Sequence, residues 1–167
     1  MSTPRTRRLE KEHADLLELR RQSSFVTFSA EGSPATVYRI RVSCGGLCLA
    51  GSEPRITKDH RFDLIIGQEF PFLAPEIKWQ SPIFHPNFRP PYICLGNHWY
   101  AGWSLAEMCV AICEMIQYKR FNIYDPLDQI AAEWLKRLME ERPDVIPVDR
   151  RPVRDLDFEV KPGKPSI

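Results

Sequence analysis

Residues 25–44 read FVTFSAEGSPATVYRIRVSC. Two runs rich in β-branched and aromatic residues flank EGSP, which is turn chemistry, so the stretch reads as two antiparallel strands joined by a hairpin. The pattern continues outward. A third run, HRFDLIIG, occupies residues 60–67, after CGG and GSEP, which read as further turns. A short fourth strand, EIKW at 76–79, follows FPFLAP. Residues 25–79 therefore predict a four-stranded antiparallel meander.

Helical periodicity lies on either side of it. Leu9, His13, Leu16, Leu17 and Arg20 fall on one face of a helix over residues 5–22. Ser104 and Glu107 form a capping box ahead of Leu105, Met108, Cys109, Ile112, Met115 and Ile116. A third helix is expected from Asp125-Pro126, with Asp125 as its cap. Leu127, Ile130, Ala131, Trp134, Leu135 and Leu138 form its core face, and it ends near Arg142-Pro143. The order of helix, four strands, loop and two helices predicts an α+β domain over 1–142. Residues 143–167 hold five prolines and little periodicity, and read as an extended proline-rich tail.

The 167-residue length suits one domain with a hydrophobic core. A net charge of +1 gives no basic field for nucleic acid or an anionic membrane. No apolar run is long enough for a bilayer, and the N-terminal MSTPRTRRLEKEH lacks an apolar signal core, so the expected location is the cytoplasm. Five cysteines, an odd count, are expected to be thiols there.

Between the meander and the second helix lies PIFHPNFRPPYICL, residues 82–95, where four prolines impose a stiff, extended loop. It holds one thiol, Cys94, among loop residues. An unpaired cysteine is commonly a small buried hydrophobe; Pro90, Pro91 and Gly96 argue instead for a chemical role. His85 and His98 flank Cys94, which raises a Cys–His nucleophile pair, but no oxyanion hole or orienting group is identifiable. Cys44, Cys48, Cys109 and Cys113 are numerous enough for zinc, yet their spacing is not that of a metal knuckle. No metal site and no cofactor are expected. The basic start of the first helix, with Arg5, Arg7, Arg8 and Lys11, is either a solvated face or a docking patch.

Taken together, Phe70-Pro71-Phe72 with Pro75, Ile83-Phe84-His85-Pro86-Asn87, Ile93-Cys94-Leu95, Trp103-Ser104 and Asp125-Pro126-Leu127 resemble the ubiquitin-conjugating enzyme family, in its order and nearly at its spacing. The resemblance implies that Cys94 carries a ubiquitin-like protein as a thioester, received from an activating enzyme, and passes it to a lysine of a protein target. It gives Asn87 oxyanion stabilisation or loop support. It gives Asp125 the task of orienting the incoming lysine and favouring its neutral form, in competition with its capping role. Phe72, with Leu105 and Ala106 in a neighbouring loop, matches the surface shown to ligases, and the basic start of the first helix matches the docking site for the activating enzyme. The Phe70-Pro71 peptide is expected to be cis, with Phe72 turned outward.

The chain departs from the family pattern. Asn87 to Cys94 is one residue shorter and Cys94 to Trp103 one longer; Leu105 stands where proline is usual, and Gly96 where an acid is usual. A fourth helix is missing. These departures describe a divergent member, leave a ligase partner open, and fit relatives found in bacterial ubiquitin-like conjugation operons. A catalytically silent binding relative of the same fold is the alternative.

Overall fold

The computed structural model describes residues 1–96 and 99–156. The chain forms α1 (Pro4–Gln22), β1 (Val26–Gly32), β2 (Ala35–Val42), β3 (Gly46–Ala50), β4 (Glu53–Thr57), β5 (His60–Ile65), β6 (Glu76–Trp79), β7 (Phe88–Arg89), β8 (Tyr92–Ile93), α2 (Leu105–Ile116) and α3 (Gln129–Glu141). The expected meander is present as an antiparallel sheet of order β1-β2-β5-β6. Its register sets Phe28, Ile40, Phe62 and Trp79 side by side in one row across all four strands. The next row is Ser29, Arg39, Asp63 and Lys78. Side chains alternate faces along a strand, so one row lines the core and the other meets water.

Four further strands were not foreseen: β3, β4, β7 and β8. The segment between β2 and β5, read as turns, contains the β3–β4 hairpin. Gly46 starts β3 because a Cβ there would lie 2.7 Å from the His60 ring and from Ile116. The hairpin delivers Leu47 to a small cluster with Phe84, Tyr118, Ala131 and Leu135.

Thr3 caps α1 by accepting the Thr6 N–H at 3.0 Å. The buried face of α1 is Leu9, Glu12, Leu16 and Leu19. Leu17, expected inside, is exposed, and Glu12, an unexpected charge, is inside. Ser104 caps α2 as expected, accepting the Glu107 N–H at 3.1 Å. Nine of the twelve α2 residues are buried, so this helix is the spine of the core.

The third helix corrects the sequence reading. Its cap is Asp128, which accepts the Ala131 N–H at 3.0 Å; Asp125 does not cap it. The reason is tertiary. The N–H groups of Leu127 and Asp128 both donate to Pro86 O, at 2.8 and 3.0 Å, and hold residues 125–128 outside the helix. Ala131, Ala132 and Leu135 are its buried residues, and Ile130, expected in the core face, is 74% exposed.

After a 3-10 turn at Pro143–Val145, the described part of the tail lies along the domain. Val148 N–H donates to Gln117 O, Asp149 accepts the Gly45 N–H, and Leu156 N–H donates to Gln22 O. Val153 is 5% exposed and belongs to the main core. Residues 157–167 of the expected tail lie outside the described residues.

Candidate active site

Four X-Pro peptides are cis among the described residues, including Phe70-Pro71, as expected, and Pro90-Pro91 in the cysteine loop. That loop is built from the histidine outward. His85 is fully buried. Its Nδ1 lies 3.0 Å from the Asn87 N–H, so Nδ1 accepts and Nε2 carries the proton toward Arg120 O at 3.2 Å. Burial pushes its pKa down to about 3, against the opposing bond to Arg120 O. A neutral imidazole with both nitrogens engaged serves as a structural post. His98, the other candidate base, lies outside the described residues.

Asn87 follows. Its side chain is tied at both ends to the backbone of Asn122. Nδ2 donates to Asn122 O at 2.9 Å, and Oδ1 accepts the Asn122 N–H at 2.8 Å. Its own carbonyl accepts the Cys94 N–H at 2.9 Å. Between them, Phe88 pairs with Ile93 and Arg89 with Tyr92 in the two-residue strands β7 and β8. Pro91 O accepts the Trp79 N–H at 3.0 Å, which fastens this hairpin to the sheet. Cys94 leaves β8 as an exposed, unpaired thiol.

Cys94, Asn87 and Asp125 line one open groove of about 530 Å³, with Leu95, Trp103 and Asn122 among its walls. Asn122 was not anticipated from sequence. Its Oδ1 accepts the Tyr124 N–H at 2.9 Å, and such an asparagine turn two residues before Tyr124 was the available signal. Asp125 is exposed and, freed of capping, faces the groove.

Three of the other thiols, Cys44, Cys109 and Cys113, are buried, and Cys48 is half-buried. Burial, with help from Asp149, pushes Cys44 up to about 12. Burial pushes Cys109 and Cys113 up as well. Among the described residues, no group of three or more His, Cys, Asp or Glu side chains is placed to hold a metal ion. No helix among them is long and apolar enough to cross a membrane.

The expected partner residues divide. Phe72 is 83% exposed. Arg7 and Lys11 are exposed; Lys11 pairs with Asp15. Arg5 is half-buried and donates to Gly67 O at 3.0 Å. Arg8 turns inward toward Glu12 and the backbone of Ala101 and Trp103. Leu105 and Ala106 correct the sequence reading: they open α2 instead of standing in a loop, and the core buries both, so neither offers a surface.

Chemically, the groove offers an accessible nucleophile, amides and a carboxylate, with no histidine base on the thiol among the described residues. That set suits an acyl group already activated. Attack on an ordinary amide would require a base–nucleophile pair.

Comparison with known proteins agrees with this fold. Over 79 residues the chain is 29% identical to ubiquitin-conjugating enzyme E2 16 of Schizosaccharomyces pombe, covering 44% of this chain and 48% of that protein. Over 96 residues it is 27% identical to the SUMO-conjugating enzyme UBC9 of Caenorhabditis elegans, covering 49% and 57%. The chain thus spans about half the length of the curated relatives it matches. The fold is similar to Ubc12 of Saccharomyces cerevisiae, with a TM-score of 0.55, 19% identity, and 74% and 72% of the two chains covered. It is also similar to the E2 domain of a ubiquitin conjugating enzyme of Toxoplasma gondii, with a TM-score of 0.53, 18% identity, and 81% and 89% covered. The sequence model of the ubiquitin-conjugating enzyme family matches residues 56–144, more than half of the chain, and the protein belongs to that family.

Proposed function

We propose that the protein is a conjugating transferase that carries a ubiquitin-like protein as a thioester on Cys94. The observation that carries this reading is the single exposed thiol at the mouth of a groove shared with Asn87 and Asp125, in a chain of this family. In the first step the Cys94 thiolate attacks the thioester carbonyl of the modifier on the activating enzyme. A C–S bond forms to Cys94 and the activating enzyme's thiolate leaves. In the second, a neutral lysine amine of the target attacks that carbonyl, a C–N bond forms, and the Cys94 thiolate leaves. The amine's proton passes to Asp125 or to water.

Asn87 holds the Asp125 loop through Asn122 and keeps a second amide hydrogen for the oxyanion. Removing one such donor costs about 10²–10³ in rate where it acts directly. Arg5, Arg7 and Lys11 at the start of α1 form the docking face for the activating enzyme. Phe72 is the contact for a ligase if one is used. Residues 1–142 are the catalytic unit, working in the cytoplasm, and the tail packs against it.

The test is to incubate the protein with modifier, activating enzyme and ATP. A thiol-labile conjugate is expected on the wild type. Cys94→Ser is expected to give an oxyester that resists thiols. A thiol-labile conjugate on Cys94→Ser would move the acceptor to another cysteine.

A further inference from the structure

One partly buried ion pair is not used by this mechanism. Arg8 and Glu12 sit one turn apart on α1, and Glu12 is 1% exposed. Arg8 Nε donates to Glu12 Oε1 at 2.6 Å. Its other two nitrogens leave the helix: Nη1 donates to Ala101 O at 2.6 Å and Nη2 to Trp103 O at 3.0 Å. The second carboxylate oxygen of Glu12 accepts the Leu105 N–H at 2.7 Å. Leu105 is the first residue of α2, where backbone N–H groups have no partner within the helix. Arg8 and Glu12 together therefore fasten 101, 103 and 105 to α1. The guanidinium also lies over the Phe70 ring, 5.3 Å from its centre. Phe70 packs on Trp99, and the Trp99 indole N–H donates to Pro71 O at 3.0 Å.

The stretch so fastened leads from Cys94 to α2. Trp103, gripped through its carbonyl, is a wall of the Cys94 groove. A planar fork with three donor directions is needed to reach a carboxylate and two carbonyls at once, and lysine does not supply it.

We propose that Arg8 and Glu12 are positioning residues for acyl transfer, holding Trp103 and the start of α2 so that the groove keeps its shape around the loaded thioester. This rests on the reading of Cys94 as the acceptor. It differs from a docking role for Arg8, which would act only while the activating enzyme is bound. A small displacement of a groove wall is enough to cost a large factor in rate, up to about 10²-fold for 1 Å.

The test separates the two. Wild type and Arg8→Lys are charged, the ATP is removed, and discharge to free lysine is followed over a range of lysine concentrations, well below the melting midpoint of each. The expected result for Arg8→Lys is a maximal discharge rate lower by about tenfold, within that range. The half-saturating lysine concentration and the rate of Cys94 alkylation by iodoacetamide are expected to stay unchanged. Discharge at the wild-type rate, with more activating enzyme needed for charging, would overturn the proposal in favour of docking. If Arg8→Lys does not fold, Arg8→Met with Glu12→Leu removes both charges, leaves neither buried alone, and meets the same criteria. Absence of any conjugate on the wild type would overturn the reading of Cys94, a distinguishable failure.

Discussion

Asn87 and Asn122 are joined twice, side chain to backbone, at 2.9 and 2.8 Å. The Asn87 side chain is thereby a strut between the cysteine loop and the loop that carries Asp125. Asn87→Ala is expected to lower stability by about 1–3 kcal/mol, because it leaves the Asn122 N–H and C=O without partners. It is also expected to slow discharge. Asn122→Ala keeps both backbone groups and is expected to leave the melting temperature nearly unchanged. Equal melting temperatures for Asn87→Ala and wild type would remove the strut and leave only the oxyanion role.

Asp125 and Asp128 are expected to separate cleanly by substitution. Asp128→Ala removes the α3 cap and is expected to cost about 1 kcal/mol. Asp125→Ala is expected to slow discharge at neutral pH without lowering the melting temperature. Its defect is expected to narrow as pH rises toward the ordinary lysine value of about 10.4, where the amine is already neutral. A pH-independent loss of both activity and stability on Asp125→Ala would count against the electrostatic role.

Histidine burial gives a pH signature of its own. His85 is held near 3, well below the ordinary value, by burial, and His60 is lowered by the same cause. Below about pH 6.5 the unfolded chain protonates the His85 imidazole and the folded one does not, so stability falls as pH drops toward 3. His85 contributes a slope of up to about 1.4 kcal/mol per pH unit in that window. His85→Asn is expected to flatten the slope of urea midpoints between pH 4 and 6, whatever it does to stability itself. An unchanged slope would show that His85 takes up a proton in the folded state.

The described tail is expected to behave as part of the fold. Val153→Ala, by removing apolar volume from the core, should cost about 2 kcal/mol in urea unfolding. A variant as stable as wild type would mean that the tail docks without contributing.

The sequence was informative where local chemistry decides structure. Ser104 caps α2 and β-branched runs mark the meander. It was less informative where distant groups decide. Pro86 O captures two N–H groups that Asp125-Pro126 would otherwise have led into α3, and nothing near Asp125 signals that. Glu12 looks like any surface glutamate paired with Arg8 one turn back, since the Leu105 N–H that it accepts meets it only in the fold. The β3–β4 hairpin was hidden by Gly46 and Pro54, turn residues used here inside short strands. Cys94, Asn87 and Asp125 were legible as a set through their family motifs. The Asn122 strut between them was not, because its bonds to Asn87 are made by the Asn122 backbone.

The capture of Leu127 and Asp128 by Pro86 O has a consequence for engineering. The carboxylate that starts α3 and the one that faces the groove are three positions apart and separately held, so position 125 is a replaceable part. A histidine placed there would be uncharged above about pH 6.5 and positive below it, where it would repel an incoming ammonium. With Cys94 as the proposed acceptor, Asp125→His should therefore make discharge dependent on acidity, with helix and groove intact. A discharge profile from pH 5.5 to 8 would reveal the gate as a step absent from the wild type.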